Sequence, residues 1–486
     1  MNEQKRSKWS GQLAFVLAAA ASAIGLGNLW RFPYLAAQYG GGTFIAVYLI
    51  LVVTLGFALM VTEIAVGRKT RQAPLTAYSK LNGKWGFIGF LATLIPVLIV
   101  PYYCVIGGWV IKYFVTYVHM VFTGATPMGA GAAASDRFFE CFISSNFAPF
   151  GYGTIFILIC ASVIVMGVKN GIEKSNMVMM PVLFILALAI SLYVVLLPGS
   201  GAGLKYYLVP SMDALAGADG GFSFARLAKT LLGAMGQMFY SLSLAMGIMI
   251  TYGSYMRKED SIERCVRRIE IFDTIIAIIA GLMIIPVVHM FAVKTGTPVK
   301  TAMNAGPGLM FITLPKVFAT LGQAGAWLGM AFFGLVIFAA LTSAISLYEA
   351  CVASACDLLG IGRKAATFFM GALILFLSTF SALGYGAWGD IRILPGVLSA
   401  DGLQFLDFFD FITNSLFMPV VALATCIGVG WIMKPKVIIE EVESHGTSFK
   451  AKRIYVFFVK YFAPVLMTLL LVSEVCRALN IGGWAI

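Results

Sequence analysis

The sequence has little charge and no polar stretch long enough for a soluble domain. Asp, Glu, Lys and Arg make up 12% of its 486 residues, whereas hydrophobic residues make up 60%. The mean hydropathy of +0.90 lies far outside the range of soluble globular proteins. The scarcity of charge therefore excludes a soluble protein and predicts an all-α protein that crosses a membrane many times, with lipid as a partner.

Histidine and cysteine are also sparse. The three histidines, His119, His289 and His445, are scattered without a second ligand at metal-binding spacing. Among eight cysteines only Cys141 and Cys476 lie near predicted outer loops, so no disulfide framework is indicated. The net charge of +12 comes from basic residues in short loops between apolar runs, which indicates membrane topology rather than a nucleic-acid partner.

Apolar runs of about 20 residues, the length that crosses a bilayer, predict about eleven transmembrane helices. They are placed at 10–37, 42–70, 88–122, 152–168, 175–198, 226–256, 263–294, 322–356, 364–383, 405–432 and 453–478. The loops on the same side as the N-terminus are rich in Lys and Arg, and the alternate loops are poor in both. We therefore expect the N-terminus in the cytoplasm and the C-terminus outside.

The start of the chain has a second interpretation. A basic beginning, an apolar middle and small residues up to Ala23 are also typical of a cleavable signal peptide. The topology does not exclude this alternative. A first transmembrane segment is favoured because apolar residues continue beyond Ala23 and because its polar interruption has a counterpart later in the chain.

Two apolar segments are interrupted in the middle. The first contains "SAIGLGNLWRFPY" at 22–34, and the sixth contains "YSLSLAMG" at 240–247. Breaks in the first and sixth of ten core helices are typical of transporters built from two five-helix halves of inverted topology. We therefore predict an inverted-repeat core with halves at 1–198 and 199–432, followed by a cytoplasmic loop and an eleventh helix at 433–486. Such breaks are tolerated where the backbone lines a cavity, and there it forms a binding site.

Three motifs in order resemble one transporter family. "AIGLGNLWRFPYLAAQYGGGTF", "GQMFYSLSLAMG" and "AALTSAISL" are similar to the neurotransmitter:sodium symporter family, whose members couple the uptake of amino acids or amines to sodium. The likeness covers nearly the whole chain, and eleven segments rather than twelve are typical of a bacterial member. The resemblance implies a symporter of the bacterial inner membrane that works by alternating access, not an enzyme, and therefore no catalytic residues.

The resemblance also implies a substrate site at the two breaks. The amides of Leu26 and Gly27 and the hydroxyl of Tyr103 would bind a carboxylate. Family members that carry amines usually have an aspartate at the position of Gly25, so a glycine indicates an amino acid as substrate. The implied contacts are Ala23, Leu26, Gly27, Ile99, Tyr103, Tyr240, Ser241, Ser243, Met246, Ser343 and Leu347. Their apolar character predicts a neutral, hydrophobic amino acid and leaves aliphatic and aromatic side chains open.

Two sodium sites are implied as well. Sodium prefers several oxygen ligands. By resemblance, one site is formed by carbonyls of Ala21, Ile24 and Ala339 with hydroxyls of Thr342 and Ser343. The other is formed by the carbonyl of Ala23 with the side chains of Asn28, Ser241 and Asp273. Thr342 and Ser343 have the alternative of bonding back to their own helix, which we would favour for an isolated pair.

The resemblance implies gates on both sides of the substrate. Arg31 and Asp410 form the outer gate above Tyr103 and Tyr240. The inner gate is formed by Arg6, Trp9, Tyr255 and Asp357. Arginines at helix ends have the alternative role of extending to the membrane interface. Glu349, a carboxylate inside the eighth segment, has no role that the sequence explains.

No chloride is expected as a co-ion. Bacterial relatives commonly place a carboxylate one turn after the sodium ligand of the seventh segment, but that position is Ala277 here. Asp273 stands where relatives often have a neutral asparagine, so we expect its charge to replace that of chloride.

Two other classes of function remain as alternatives. An ion channel would share the polar membrane residues but would need a continuous pore. An amino acid sensor would bind without transport and would usually need a signalling domain. Sodium-driven uptake distinguishes the three.

Overall fold

Helices account for the long apolar runs because a backbone within lipid must satisfy its own hydrogen bonds. We describe a computed structural model of the chain, covering residues 7–125, 128, 132–217, 221–304, 306–398 and 402–479. Nine helices in these ranges are long and apolar enough to cross a membrane, and a pair bent by 53° adds a tenth span. The prediction of an all-α protein with many membrane spans is confirmed.

The helices that build the core are labelled in chain order. They are α1 Gln12–Ala23, α2 Gly27–Gln38, α3 Gly42–Thr70, α4 Gly83–Thr123, α5 Ala148–Val165, α6 Val168–Val195, α7 Phe224–Ser241, α8 Ile248–Ser254, α9 Ile262–Thr295, α10 Gly322–Leu359, α11 Arg363–Leu383, α12 Phe405–Ile432 and α13 Lys452–Ala478. Shorter helices in the loops are Pro74–Leu81, Ala132–Ile143, Ser200–Leu208, Val299–Ala302, Leu309–Ala319 and Lys436–Val442.

The difference between the predicted eleven segments and the ten spans lies in the sixth segment. Its two helices, α7 and α8, are separated by residues 242–247, and the segment is not among those spans. Several boundaries also differ from the prediction, and the third span begins at Gly83 rather than at 88. The fourth segment begins at Ala148, and the fifth begins at Val168 with a π-helical turn that follows Gly167 at φ 91°. The division into two halves remains a prediction.

Both breaks have a local backbone cause. At the end of α1, Ile24 leaves the helix with an extended ψ of 95°. In the sixth segment Ser243 and Ala245 have positive φ values of 53° and 62°. Residues other than glycine lose roughly 1–2 kcal/mol in this conformation. The Glu63 carboxylate on α3 accepts a hydrogen bond of 2.6 Å from the Ala245 amide, which helps to hold the strained turn.

Packing places the two breaks side by side. Helix α1 lies against α9 and α10, α7 packs against α2, and α8 packs against α3 and α10. Large apolar side chains such as Phe368 and Leu158 are exposed on outer helices, as expected of a surface that faces lipid. The breaks are therefore buried in protein, where irregular backbone is tolerated.

Candidate functional site

A cavity lies where the two broken segments meet. It is lined by Ser22, Ala23, Gly25, Leu26, Gly27, Asn28, Ile99, Tyr103, Tyr240, Ser243, Met246, Ile248, Ser343 and Leu347. Every predicted substrate contact except Ser241 is in this lining. No acidic or basic side chain lines the cavity within the described part of the chain. A charged substrate must therefore find its partners among backbone groups, hydroxyls and bound ions.

The structure adds lining residues that the sequence reasoning missed. Ser22 accepts hydrogen bonds of 3.1 Å at its carbonyl from the hydroxyls of Ser243 and Ser343, so it joins the first, sixth and eighth segments. Ile248 begins α8 and adds an apolar wall. Ser22 and Ile248 are both next to a break in the sequence, and this position was the signal that could have identified them as lining residues. Asn28, assigned only to an ion site, also faces the cavity.

The backbone at the first break faces a tyrosine hydroxyl. Tyr103 on α4 accepts a bond of 3.3 Å from the Leu26 amide. The Gly25 amide donates to the Asn28 side-chain oxygen at 3.1 Å. A β-carbon at Gly25 would lie 2.5 Å from the Ser343 hydroxyl, so only glycine fits without a shift. These contacts bring together the Leu26 amide and the Tyr103 hydroxyl, two of the groups predicted for carboxylate binding, in the cavity lining.

A buried carboxylate joins three segments next to the cavity. Asp273 on α9 is fully buried and accepts hydrogen bonds from Asn28 at 2.8 Å and from Ser241 at 2.9 Å. Tyr48 on α3 donates to its other oxygen at 3.1 Å. The structure thus brings together the three side chains predicted for the substrate-linked sodium site.

The chemistry of this cluster suits sodium. A carboxylate, a hydroxyl and a carboxamide are oxygen donors that a hard cation prefers. The Asn28 amide nitrogen now faces the carboxylate, so ligation would require its oxygen to turn toward the ion. No group of three or more His, Cys, Asp or Glu side chains suited to another metal occurs among the described residues.

The other predicted sodium site lies between the first and eighth segments. Ser343 donates to the Ile24 carbonyl at 3.4 Å as well as to Ser22, which brings α10 to the broken end of α1. Thr342 bonds back to the Ala339 carbonyl at 3.0 Å. Ala21 is fully buried on α1. Ser343 thus contacts the broken segment, whereas Thr342 shows the local bond that any membrane threonine can make.

Arg31 and Asp410, the residues predicted for the outer gate, do not form an ion pair with each other. The Arg31 guanidinium lies 5.6 Å from the centre of the Tyr240 ring, a cation–π contact. Asp410 on α12 instead accepts hydrogen bonds from Tyr102 at 3.1 Å and from Asn414 at 2.5 Å. None of the ion pairs within 4 Å in the described ranges joins Arg31 to Asp410.

Trp9, predicted for the inner gate, joins the start of the first segment to the end of the sixth. Its backbone amide donates to the Tyr255 carbonyl at 3.2 Å, and its indole nitrogen donates to the Tyr252 carbonyl at 3.1 Å. Asp357 accepts a bond of 2.6 Å from the Ala73 amide. Arg6, the remaining predicted member, lies outside the described residues.

The structure gives Glu349 a role that the sequence did not reveal. Its fully buried carboxylate forms a bidentate ion pair with Arg363 at the start of α11. The Tyr255 hydroxyl donates to the same carboxylate at 2.7 Å. Glu349 on α10 therefore joins Tyr255, which was predicted for the inner gate, to Arg363 on α11. The basic "GIGRK" loop was the only sequence signal for its partner.

Comparisons with known proteins agree with this architecture. The Sodium:neurotransmitter symporter family matches residues 6–129 and 152–482. An uncharacterized sodium-dependent transporter of Bacillus subtilis is 32% identical over 457 residues, with 93% of each chain covered. Another from Haemophilus influenzae is 29% identical over 484 residues, covering 97% of this chain and 99% of its own.

A solved structure shares the fold. The crystal structure of MhsT in complex with L-phenylalanine is 32% identical and superposes with a TM-score of 0.81, covering 96% of this chain and all of its own. The all-α transporter fold and the resemblance inferred from three motifs are thereby confirmed. The chain belongs to the sodium:neurotransmitter symporter family and is a sodium-dependent membrane transporter, not an enzyme.

Proposed function

We propose that the chain imports neutral, hydrophobic amino acids together with sodium by alternating access, without chloride. The observation that carries the proposal is the cavity at the two breaks. It offers the amides of Leu26 and Gly27 to a carboxylate and has no charged side chain of its own. An amino acid supplies both a carboxylate and an ammonium group, whereas an amine without a carboxylate would need an aspartate at Gly25.

Apolar walls favour a hydrophobic side chain. Ile99, Met246, Ile248 and Leu347 are apolar members of the cavity lining. MhsT, solved with L-phenylalanine, supports a substrate of this kind. Methionine adapts to different shapes, so both leucine-sized and aromatic substrates belong in the assay.

The ion sites supply the coupling. In this proposal the substrate carboxylate completes the sodium site of Ala23, Asn28, Ser241 and Asp273, so each ligand stabilises the other. The second ion, held by Ala21, Ile24, Ala339, Thr342 and Ser343, ties α1 to α10. The buried negative charge of Asp273 makes a chloride ion unnecessary. The protein lies in a bacterial inner membrane, with the N-terminus on the cytoplasmic side and the C-terminus outside, as the basic loops indicate.

Uptake in vesicles tests the proposal. The purified chain is reconstituted, a sodium gradient is imposed, and a panel of labelled amino acids is offered. We expect saturable uptake of one hydrophobic class that stops when potassium or choline replaces sodium. The Thr342→Ala/Ser343→Ala variant should insert normally but need much more sodium, since it loses two oxygen ligands. Uptake that is indifferent to sodium contradicts the proposal. Currents without substrate would indicate a channel, and binding without uptake would indicate a sensor.

A further inference from the structure

A second cavity opens at the inner face, away from the substrate. Its volume is about 360 Å³, and it lies between the start of α9 and the loop before α13. Its lining consists of Gln12, Glu259, Ser261, Glu263, Arg264, Arg267, Gly446, Thr447, Ser448 and Lys450. None of these residues belongs to the predicted substrate site, ion sites or gates.

The cavity carries excess positive charge. Glu263 accepts a bond of 2.7 Å from the Lys450 backbone amide, and its other oxygen lies 3.7 Å from Arg267. Glu259 lies in the lining with a largely exposed side chain, 3.8 Å from Arg257. Within the described ranges, no carboxylate lies within 4 Å of the Arg264 guanidinium or the Lys450 ammonium group. Both acidic groups are thus paired, whereas two cations are not.

On both walls of the cavity, cationic side chains are followed along the chain by exposed apolar ones. On α9, the Arg267 guanidinium lies 4.5 Å from the Phe57 ring centre, and one turn later Ile271 is 58% exposed. On the opposite wall, Phe449 packs against the same Phe57 ring at 6.4 Å. The next turns of that wall expose Ile454 and Phe457. The change from cationic to apolar side chains on both walls marks the boundary between lipid headgroups and hydrocarbon.

We propose that this cavity binds the headgroup of an anionic phospholipid of the inner leaflet. The phosphodiester lies between Arg264 and Lys450, with the hydroxyls of Thr447 and Ser448 nearby. The acyl chains run along Ile271 and Phe457. A neutral or a soluble ligand would not contact both the two unpaired cations and the exposed apolar side chains Ile271 and Phe457.

The site also has a route to transport. Gln12, at the start of α1, forms part of the lining, and its amide donates to the Cys265 sulfur on α9 at 3.3 Å. A bound headgroup therefore braces the inner half of the first segment against α9. Because a ligand favours the conformation it binds better, the lipid stabilises the closed inner side.

Lipid binding to the purified full chain tests the proposal without requiring transport, so its failure is distinct from failure of the proposed function. Phosphatidylglycerol is titrated by native mass spectrometry, with phosphatidylcholine as reference. We expect Arg264→Gln/Lys450→Gln to weaken phosphatidylglycerol binding about 25-fold, since each basic residue near a lipid surface contributes about fivefold. Arg268→Gln/Arg453→Gln removes two exposed cations outside the cavity and should bind like the wild type.

Charge-preserving and soluble controls complete the test. Arg264→Lys/Lys450→Arg should retain binding, and the single glutamine variants provide the measurement if the double variant fails to fold. If the Arg264/Lys450 and the Arg268/Arg453 double glutamine variants lose phosphatidylglycerol binding equally, the lipid is attracted by the general surface charge. This result would overturn the proposal. Equal binding of phosphatidylcholine would do the same. Displacement of the lipid by glycerol phosphate at matching concentration would identify a soluble phosphate ester as the occupant.

Discussion

At the scale of single residues, Asp273 supplies the charge of the proposed substrate-linked ion site. It is fully buried, and every hydrogen bond found at its carboxylate comes from Asn28, Ser241 or Tyr48. These donors stabilise the carboxylate as an anion, and a neighbouring cation does so further. The sequence identified this residue, but its contact with Tyr48 depends on a helix more than 200 positions away.

The first prediction replaces the carboxylate of Asp273 with a bound chloride ion. Asp273→Asn with Ala277→Ser removes the anion and adds a hydroxyl one turn later, at a fully buried position. Uptake by this variant should then require chloride, held by the hydroxyls of Tyr48 and Ser241 and by the side-chain amide N–H of Gln237, which donates to the Gly27 carbonyl at 3.2 Å in the structure. Uptake is compared in chloride and gluconate. Wild-type uptake that needs chloride, or normal uptake by Asp273→Asn alone without a halide, would show that the charge is not being replaced.

The second prediction concerns Gly25. A β-carbon there would lie 2.5 Å from the Ser343 hydroxyl and 3.1 Å from the Tyr103 hydroxyl. Gly25→Ala therefore measures the steric cost alone. Gly25→Asp adds a carboxylate that faces the carboxylate of the substrate, so its affinity for the amino acid should be roughly tenfold or more below that of Gly25→Ala. Equal affinities of the two variants in a binding assay would show that the substrate carboxylate does not bind next to Gly25.

At the scale of helices, composition predicted where the segments break, and the structure shows the backbone conformation of each break. Gly25 and Gly27 permit the first break, and Gly247 ends the second. The positive φ values of Ser243 and Ala245 were unpredictable, because neither residue favours that conformation. The turn is supported by Glu63 from α3, a contact between segments distant in sequence. Local propensity therefore located the site, and tertiary packing determined its shape.

The third prediction tests the ion pair between α10 and α11. Removing one partner of a buried pair leaves an uncompensated charge, which costs about 3–5 kcal/mol. Arg363→Gln should therefore destabilise the protein more than Glu349→Gln/Arg363→Gln, which buries two neutral groups. Thermal unfolding of the purified variants gives the comparison, with Lys364→Gln on the neighbouring exposed position as control. Equal losses in the single and double variants would indicate that Arg363 acts through the Ile164 carbonyl that it also contacts, not through Glu349.

At the scale of the whole molecule, hydropathy and loop charge predicted the span positions because lipid allows few alternatives to a helix. Hydropathy and loop charge did not predict the contacts of the gate residues. Arg31 and Asp410 are not within ion-pair distance, and Glu349 is bound by Tyr255 and by Arg363 on the next helix. Gate contacts form and separate during transport, so sequence can name the partners without fixing which pairs exist in one conformation.

Alternating access predicts that α1 moves away from α9 when the inner side opens. In the structure Cys265 on α9 is fully buried beneath α1, where Gln12 contacts its sulfur. Trp9 and Ser10 hold this end of α1 in place through Tyr255 and Glu173. Sodium, by linking α1 to α10, should favour this closed arrangement. Cys265 is therefore an internal reporter of inner opening.

The last prediction uses that reporter in membranes open on both sides. Cys141, Cys356 and Cys476 are first replaced by serine, which leaves only the buried cysteines. Labelling of Cys265 by a maleimide should be slow in sodium and several-fold faster in potassium, because the open population increases when the ion that closes α1 onto α10 is absent. Trp9→Ala should be labelled quickly even in sodium, since it loses the indole bond to Tyr252. Labelling that is equally slow in both salts, with the Trp9 variant unchanged, would mean that α1 does not leave α9 during the cycle.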